Sequence, residues 1–138
     1  SNVDKDLKPL KIGEANIINE ESSEIVILNF GTLLNEANQI SKELRATLVD
    51  MRFVKPLDEK LLRKLFKKAK VFISIEDGSI MGGAGSAVQE FASKENLNVR
   101  SILFGIPDKF IEHASREEML VEAGLDVENI KSKLSKLL

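Results

Sequence analysis

The sequence contains no cysteine, no tryptophan and no tyrosine, and its single histidine is His113. Without cysteine, disulfides, thiolate metal sites, iron–sulfur clusters and thiol nucleophiles are all excluded. A Ser-His-Asp catalytic device would have to use His113, and stacking on bases or sugars would rest on phenylalanine alone. Because His113 comes just before a predicted helix start, we interpret it as a structural hydrogen-bonding residue.

Long apolar runs and a strong charge of one sign are also absent. The longest uninterrupted apolar stretch is a handful of residues, so no segment is predicted to span a bilayer. Lys and Arg number 20 against 22 Asp and Glu, a net charge of −2, and a general attraction to nucleic acid or to anionic membrane is not expected. Residues 1–10 are polar and lysine-rich, unlike a signal peptide. A cytoplasmic location, which suits a chain without cysteine, is expected.

The chain length of 138 residues supports one domain. Residues 1–11 are predicted to be a linker or a cloning remnant, because the chain starts with Ser1-Asn2 and not with methionine. Residues 12–138 are predicted to form the domain. Area scaling indicates that a chain of this size buries roughly two thirds of its unfolded surface, which is ample for a core.

Short apolar runs alternate along the chain with stretches of helical periodicity. This alternation predicts right-handed βαβ crossovers and helices on both faces of a mostly parallel, five-stranded sheet, which is a three-layer α/β/α domain. The first strand has the weakest pattern, so we expect it at an antiparallel edge. The predicted strands are 12–18, 25–28, 47–49, 71–75 and 99–104, and the predicted helices start near Leu33, Asp58, Gly82–Gly85, Ser115 and Val127.

Three residues are expected to mark helix ends. Asp58 precedes a helical stretch and is a suitable N-cap. Ser115, with Glu118 three residues later, forms a capping box, and Gly124 is expected to end the helix that follows.

Polar residues come at or just after the predicted strand ends, where open parallel sheets bind ligands. They are Asp50, Arg52, Glu76, Asp77 and Asp108. Converging carboxylates could hold Mg²⁺ through oxygen ligands, but polar and acidic loops are common in any α/β domain, and we favour that simpler interpretation. A phospho-acceptor receiver domain would need paired acids after its first buried strand, where residues 29–31 read Asn-Phe-Gly.

Gly82, Gly83 and Gly85 lie at the start of a predicted helix. Backbone N–H groups at a helix start attract anions, and glycine lets a ligand approach closely. A dinucleotide fingerprint beginning at Gly83 would, however, need Gly or Ala where Val88 stands, and no Walker A lysine is present. We therefore favour close packing of this helix start against a neighbouring strand or subunit over an anion site.

One helical stretch carries a basic face made of Lys60, Arg63, Lys64, Lys67 and Lys68. Such a stripe can follow a phosphate backbone, but no aromatic residue interleaves with it. We interpret the stripe as a solvated face. Taken residue by residue, the chain shows no complete active site.

Three segments together resemble one enzyme family: 46–58 (ATLVDMRFVKPLD), 75–88 (IEDGSIMGGAGSAV) and 105–113 (GIPDKFIEH). In this order and spacing they are similar to the C-terminal domain of the 1-deoxy-D-xylulose-5-phosphate synthases, and the resemblance covers nearly the whole chain. The first segment is shared with transketolase-like enzymes more widely, including the β-subunits of 2-oxoacid dehydrogenases. The other two are more particular to the synthases. Asp77 and Ala114 depart from the family pattern, which often has Glu and Gly there.

The resemblance implies a piece of a longer transferase that uses thiamine diphosphate and Mg²⁺. That family condenses pyruvate with glyceraldehyde 3-phosphate, with loss of CO₂, to 1-deoxy-D-xylulose 5-phosphate, a precursor of isoprenoids, thiamine and pyridoxal. Upstream domains of the family hold both cofactors and supply the catalytic groups, and none of their motifs occurs here. The resemblance therefore implies no catalytic, cofactor-binding or metal position in this chain, which is expected to be inactive alone.

The same resemblance implies partners for the domain. In the family it packs against the middle domain and helps to form a homodimer, and neither nucleic acid nor a membrane is an expected partner. We expect Arg52 to pair with a strand-end acid: Asp50, Glu76 or Asp77. Two alternatives stay open, the equivalent domain of a dehydrogenase β-subunit and a free-standing anion-binding α/β module. The candidate residues for a domain interface or an anion contact are Arg52, Glu76, Gly82, Gly83, Gly85 and His113.

Overall fold

The structure, a computed structural model, describes residues 11–78, 82–106 and 116–137. Within these ranges the chain forms one five-stranded sheet with helices on both faces. The strands are β1 (Asn16–Asn19), β2 (Ser22–Phe30), β3 (Ala46–Asp50), β4 (Val71–Asp77) and β5 (Arg100–Ile106). The helices are α1 (Leu34–Leu44), α2 (Glu59–Phe66), α3 (Ala84–Lys94), α4 (Arg116–Glu122) and α5 (Val127–Leu137).

The strand order in the sheet is β1-β3-β2-β4-β5. Strands β2 to β5 run parallel to one another, and β1 pairs antiparallel with β3 at one edge. In the register, Ile27 in the central strand lies between Leu48 of β3 and Ile73 of β4. The predicted three-layer architecture, with an antiparallel first strand at an edge, is confirmed.

Two hydrophobic cores lie on opposite faces of the sheet, and the central strand contributes to both. In β2, Ile27 belongs to the first core, whereas Val26 and Leu28 belong to the second. All three side chains are at most 1% exposed. Successive side chains of a strand point to opposite faces, so the continuous apolar run 25–28 reflects burial on both sides.

The helices divide between the two faces. α1, α4 and α5 cover the first core, and α2 and α3 cover the second. The helical spacing that the sequence shows is the spacing of the buried positions. The apolar side chains that the helices bury are Ala37 and Ile40 of α1, Leu62 and Phe66 of α2, Ala84, Val88, Phe91 and Ala92 of α3, Met119 of α4, and Ile130 and Leu134 of α5.

Several strand bounds differ from the predicted ones. β1 starts at Asn16 and not at Ile12, which is 81% exposed, because Gly13 adopts a left-handed conformation with φ +75° that interrupts an extended chain. At the other end of the sheet, β4 includes Glu76 and Asp77, which were expected just after the strand. The backbone continues to pair with β5 through both residues, so their polarity does not mark the end of the strand.

Two of the predicted helix ends are confirmed. The Asp58 carboxylate accepts a hydrogen bond from Leu61 N at 3.0 Å at the start of α2. At the end of α4, Gly124 has φ +82°, and Gly124 N and Leu125 N donate to the carbonyls of Val121 and Leu120 in the pattern of a Schellman motif. Ser115 lies outside the described residues. No helix in the described ranges has the length and apolarity needed to cross a bilayer.

Candidate functional site

The carboxyl ends of β2, β3 and β4 meet at one edge of the sheet, which we call the carboxyl edge. From β2 the chain enters α1 on the first face and continues to β3. From β4 it enters α3 on the second face and continues to β5. The two connections therefore diverge between the adjacent strands β2 and β4, and a divergence of this kind is where open α/β sheets bind their ligands.

The last two residues of β4 direct their carboxylates to opposite faces at this divergence. Glu76 points to the second face, where it meets α3, and Asp77 points to the first face, where it meets the chain entering α1. The opposite directions follow from the alternation of side chains along a strand. Two acids that are adjacent in the chain thus accept hydrogen bonds on opposite faces of the sheet, one at the start of α3 and one just before α1.

The Glu76 carboxylate occupies the start of α3. Its Oε2 accepts a hydrogen bond from Ala84 N at 2.9 Å. The residue in the N-cap position, Gly83, has no side chain that could make this bond, and a carboxylate at a helix N-terminus is favoured by the helix dipole. The helix start at which the sequence left an anion site open therefore already holds an anionic group of the chain itself.

The Asp77 carboxylate ties β4 to the segment that leads into α1. Its Oδ2 accepts hydrogen bonds from Thr32 N and from Thr32 Oγ1, both at 2.6 Å, and the residue is 4% exposed. Gly31 makes room for it, because a Cβ atom there would lie 2.6 Å from Asp77 Oδ1. Gly31 also has φ +116°, which side-chain-bearing residues rarely adopt.

The strand-end carboxylates do not converge on a common point. Glu76 and Asp77 turn away from each other, Asp50 lies two strands away on β3, and Asp108 is outside the described residues. In the part of the chain that the structure describes, no group of three or more His, Cys, Asp or Glu residues could hold a metal ion. The arrangement does not fit the Mg²⁺ site that the sequence left open.

Asp50 and Arg52 form an ion pair at the end of β3. Arg52 Nε lies 3.9 Å from Asp50 Oδ2, and the two side chains are 32% and 21% exposed. Arg52 adopts a left-handed backbone conformation with φ +62°, so the chain turns sharply after the strand. The expected pairing of Arg52 with a strand-end acid is confirmed, and the partner is Asp50.

The Asp50 carboxyl is held in a partly buried, polar setting. Burial raises its pKa, while the Arg52 charge and a hydrogen bond from the Asn29 side chain act in the opposite direction without cancelling the effect. Asn29 itself is fully buried, and its Nδ2 also donates to the Gly31 carbonyl at 3.2 Å. Asn29 therefore links the ends of β2 and β3 at the carboxyl edge.

The three candidate glycines have different roles. A Cβ atom at Gly85 would lie 2.5 Å from Ser74 Oγ and 2.9 Å from Leu103 Cδ2, so the absence of a side chain lets α3 pack closely on β4 and β5. Close packing is confirmed for Gly85. Gly82 and Gly83 are exposed, and among the described residues no atom lies within 4 Å of a Cβ added at either, so they do not pack against a described strand; their packing against another subunit stays a prediction. Gly83 is required instead by its φ of +92°.

The remaining candidates lie elsewhere or are not described. His113 is outside the described residues. The five basic residues of the predicted stripe are exposed, as a solvated face requires, although α2 ends at Phe66 and Lys67 and Lys68 follow it. One of them, Arg63, pairs with Glu95, the residue directly after α3, at 2.5 Å and lies over the Phe91 ring at 5.6 Å.

Three partners at the carboxyl edge were not found from the sequence. Asn29 donates a hydrogen bond to the Asp50 carboxyl, and Thr32 donates to the Asp77 carboxylate. The third partner is Ala15, whose N–H donates to Asp58 at 2.8 Å, while Asp58 also caps α2. The signal for Asn29 was its position at the end of an apolar strand, where a fully buried amide needs a polar partner. Thr32 and Ala15 carry no such signal, because their partners are distant in the sequence.

The sequence profile of the family "Transketolase, C-terminal domain" matches residues 13–130. The chain therefore belongs to the transketolase C-terminal domain family. The resemblance that the three sequence segments showed is therefore confirmed.

Among curated proteins, the relatives are 1-deoxy-D-xylulose-5-phosphate synthases. The enzyme of Stutzerimonas stutzeri is 47% identical over 139 aligned residues, which cover all of this chain and 22% of the relative. The enzyme of Pseudomonas paraeruginosa is 45% identical over 129 residues, covering 94% of this chain and 20% of the relative. The chain thus spans about a fifth of the length of these relatives.

Among solved structures, the chain is similar to a protein described as "Split gene transketolase, inactive beta4 tetramer". The TM-score is 0.74 at 26% sequence identity, and the match covers 94% of this chain and 43% of the other. This likeness agrees with the five-stranded α/β fold and with the family.

Proposed function

We propose that this chain is the C-terminal domain of a longer synthase that condenses pyruvate with glyceraldehyde 3-phosphate, with loss of CO₂, to 1-deoxy-D-xylulose 5-phosphate. Identity of 45–47% to synthases over nearly the whole chain supports this reaction. The synthase-like segments 75–88 and 105–113 favour it over a 2-oxoacid dehydrogenase β-subunit. The product would feed the synthesis of isoprenoids, thiamine and pyridoxal.

Within that enzyme we assign the domain a structural role. The arrangement of the carboxyl edge is the observation that supports this role. The divergence between β2 and β4 is the place where the fold would bind a ligand. Here it is closed from both sides by the chain's own carboxylates, Glu76 on α3 and Asp77 on Thr32. We infer that the described part of the domain supports its neighbours and contributes no group to the reaction.

Thiamine diphosphate and Mg²⁺, which such a synthase requires, do not fit the residues described here. A diphosphate needs free backbone N–H groups or cations, but Glu76 already accepts from Ala84 N at the start of α3, and Asp77 accepts from Thr32 N in the segment before α1. In the described ranges there is also no acidic cluster suited to a metal. We therefore assign both cofactors to the domains that precede this one.

The Asp50–Arg52 pair is our candidate for the contact with those domains. Both side chains are partly exposed at the carboxyl edge, and burial already raises the pKa of Asp50. Gly82 and Gly83, exposed beside the same edge, would let a neighbouring backbone approach closely. We further propose that the intact enzyme is a cytoplasmic homodimer, in line with the resemblance and with a chain free of cysteine.

A domain exchange tests the proposed function. Residues 12–138 would replace the corresponding last part of the Stutzerimonas stutzeri synthase, and product formation would be compared with that of the parent, of a version truncated before this domain, and of the present chain alone. We expect the chimera to be active and the truncated enzyme and the chain alone to be inactive. A soluble, folded chimera without activity, or turnover by the chain alone, would contradict the proposal.

A titration separates this function from a free-standing anion-binding module. Inorganic phosphate and thiamine diphosphate would each be added to the isolated chain and followed by calorimetry. Because Glu76 occupies the start of α3, we expect no saturable binding. Saturable binding that is lost in Gly83→Val would favour the binding module.

A further inference from the structure

Asn29, the last residue but one of β2, is a fully buried amide at the carboxyl edge. Its Nδ2 donates to the Gly31 carbonyl at 3.2 Å, and its side chain also bonds to the Asp50 carboxyl. Among the described residues none donates to its Oδ1, which is buried as well. A buried acceptor without a partner lowers stability, and leucine, of similar size, would avoid that cost. The role of Asn29 therefore lies in what its donors hold.

Asn29 contacts the turn that carries Asp50 and Arg52 at two points. In the parallel register of β2 and β3, Asn29 lies opposite Asp50, and its side chain bonds to the Asp50 carboxyl. Its backbone carbonyl accepts from Met51 N at 2.9 Å. Met51 directly precedes Arg52, where the backbone enters the left-handed conformation. One residue of β2 thus holds both the carboxyl group and the backbone from which Arg52 extends.

The ion pair between Asp50 and Arg52 does not fix its own geometry. The distance of 3.9 Å between Arg52 Nε and Asp50 Oδ2 is longer than a hydrogen bond. The direction of the guanidinium therefore depends on where the Asp50 carboxylate is held and on its charge. Burial disfavours the charged form of Asp50, and the hydrogen bond from Asn29 acts against this effect. Asn29 thus helps to keep the partner of Arg52 both charged and in place.

We propose that Asn29 is a positioning residue, which holds Asp50 and through it the Arg52 guanidinium in the arrangement that meets the preceding domains of the synthase. This inference rests on the proposed function, in which the Asp50–Arg52 pair is the candidate contact. Asn29 is fully buried, so its effect on a neighbouring domain is indirect and passes through this pair. The rival explanation is that Asn29 only stabilises the turn at Gly31, whose carbonyl it also bonds.

The first test is the pKa of Asp50 in the isolated chain, measured by NMR of its carboxyl carbon over a pH titration. Because the hydrogen bond from Asn29 lowers the pKa of Asp50, Asn29→Leu is expected to raise it relative to the wild type. Ser41→Ala is the matched control, since Ser41 is also fully buried but donates to the Asn38 carbonyl within α1. It should leave the pKa of Asp50 unchanged. Equal pKa values in Asn29→Leu and the wild type would overturn the positioning role.

A titration of the wild-type chain gives a second measurement that does not depend on the folding of a variant. If Asn29 donates to Asp50, the NMR signals of the Asn29 side-chain amide should shift with the same midpoint as the Asp50 carboxyl carbon. Asn29 amide signals that do not follow the titration of Asp50 would refute the proposal and favour a role confined to Gly31.

The third test is product formation by the chimera with the Stutzerimonas stutzeri synthase. Asn29→Leu is expected to lower kcat several-fold, and Ser41→Ala to leave it unchanged. Because Asn29 acts through Arg52, the double variant Asn29→Leu with Arg52→Gln should have the same kcat as Arg52→Gln alone. Losses of kcat that multiply in the double variant would show that Asn29 acts by another route and would overturn the proposal.

The chimera also separates this inference from the proposed function. An active chimera in which Asn29→Leu leaves kcat unchanged would overturn the positioning role while the identity of the domain stands. A folded but inactive unsubstituted chimera would contradict the proposed function, and with it the domain contact that Asn29 is proposed to support.

Discussion

Gly31 is the residue on which the closure of the carboxyl edge depends most directly. Any side chain there meets the Asp77 carboxylate, and the φ of +116° is unfavourable for every residue except glycine. We expect Gly31→Ala to lower the free energy of unfolding by about 2–3 kcal/mol, the range for combined strain and loss of a buried hydrogen bond. Urea unfolding followed by far-UV circular dichroism would measure it.

Gly82→Ala is the matched control for this substitution. Gly82 is exposed, has open space at its Cβ position and lies outside the left-handed region. Its substitution should change stability by no more than about 0.5 kcal/mol. Equal stability of the two variants would mean that the Asp77 contact with Thr32 does not hold the edge together.

Asp50 is expected to make the free energy of unfolding depend on pH. Because burial raises its pKa above the ordinary 3.8, the folded state holds the proton more tightly than the unfolded state does. The stability that this proton provides is present below pH 3.8 and is lost as the pH rises through the raised pKa. Asp50→Asn should therefore gain stability relative to the wild type as the pH rises from acid to neutral.

The measurement for Asp50 is urea unfolding of both proteins at a series of pH values. Glu20→Gln, which removes an exposed carboxylate, serves as the control for the loss of one negative charge. A difference between Asp50→Asn and the wild type that stays constant with pH would show that the carboxyl does not titrate differently in the two states.

At the scale of the elements, the packing of α3 on the sheet depends on the pair Gly85 and Ser74. A Cβ atom at Gly85 would come 2.5 Å from Ser74 Oγ, a buried hydroxyl without a described partner. We expect Gly85→Ala to destabilise the domain and Ser74→Ala, made in the same chain, to recover part of the loss by removing the clashing atom. The coupling between contacting sites should reach about 0.5–3 kcal/mol in a double-mutant cycle of urea unfolding.

Additive effects of the two substitutions would contradict this account of α3. They would show that the helix moves away from β4 as a unit, or that Leu103, the other neighbour of the added methyl group, gives way. In the first case the start of α3, including the hydrogen bond from Ala84 N to Glu76, would be less firmly held than the structure indicates.

At the scale of the whole molecule, Arg52 connects the domain to the proposed enzyme. In the chimera with the Stutzerimonas stutzeri synthase, Arg52→Gln is expected to lower kcat at least several-fold, because a domain contact at the carboxyl edge would be lost. The stability of the isolated chain should fall by no more than about 1 kcal/mol, the usual worth of a partly exposed ion pair. The steady-state rate of product formation and urea unfolding are the two readouts.

Arg63→Gln is the control at this scale. Arg63 also pairs with a glutamate, Glu95, but lies on the exposed face of α2, outside the carboxyl edge. It should leave kcat unchanged. Equal kcat values for the Arg52→Gln chimera and the unsubstituted chimera would remove Arg52 from the proposed interface while leaving the identity of the domain intact.

The sequence by itself determined the layers of this protein and the family to which it belongs. Apolar runs with β-branched residues, helical stripes and capping residues act over short distances, so the strands, most of the helices and the antiparallel edge could be predicted. The tertiary structure alone decided what the strand-end polar residues do. Glu76 and Asp77 are adjacent in the chain, but strand alternation sends them to different faces, and their partners at positions 84 and 32 are brought to them only by the crossovers. For the same reason the partner of Asn29 could not be foreseen, because Asp50 comes to lie opposite it only through the register of β3 with β2.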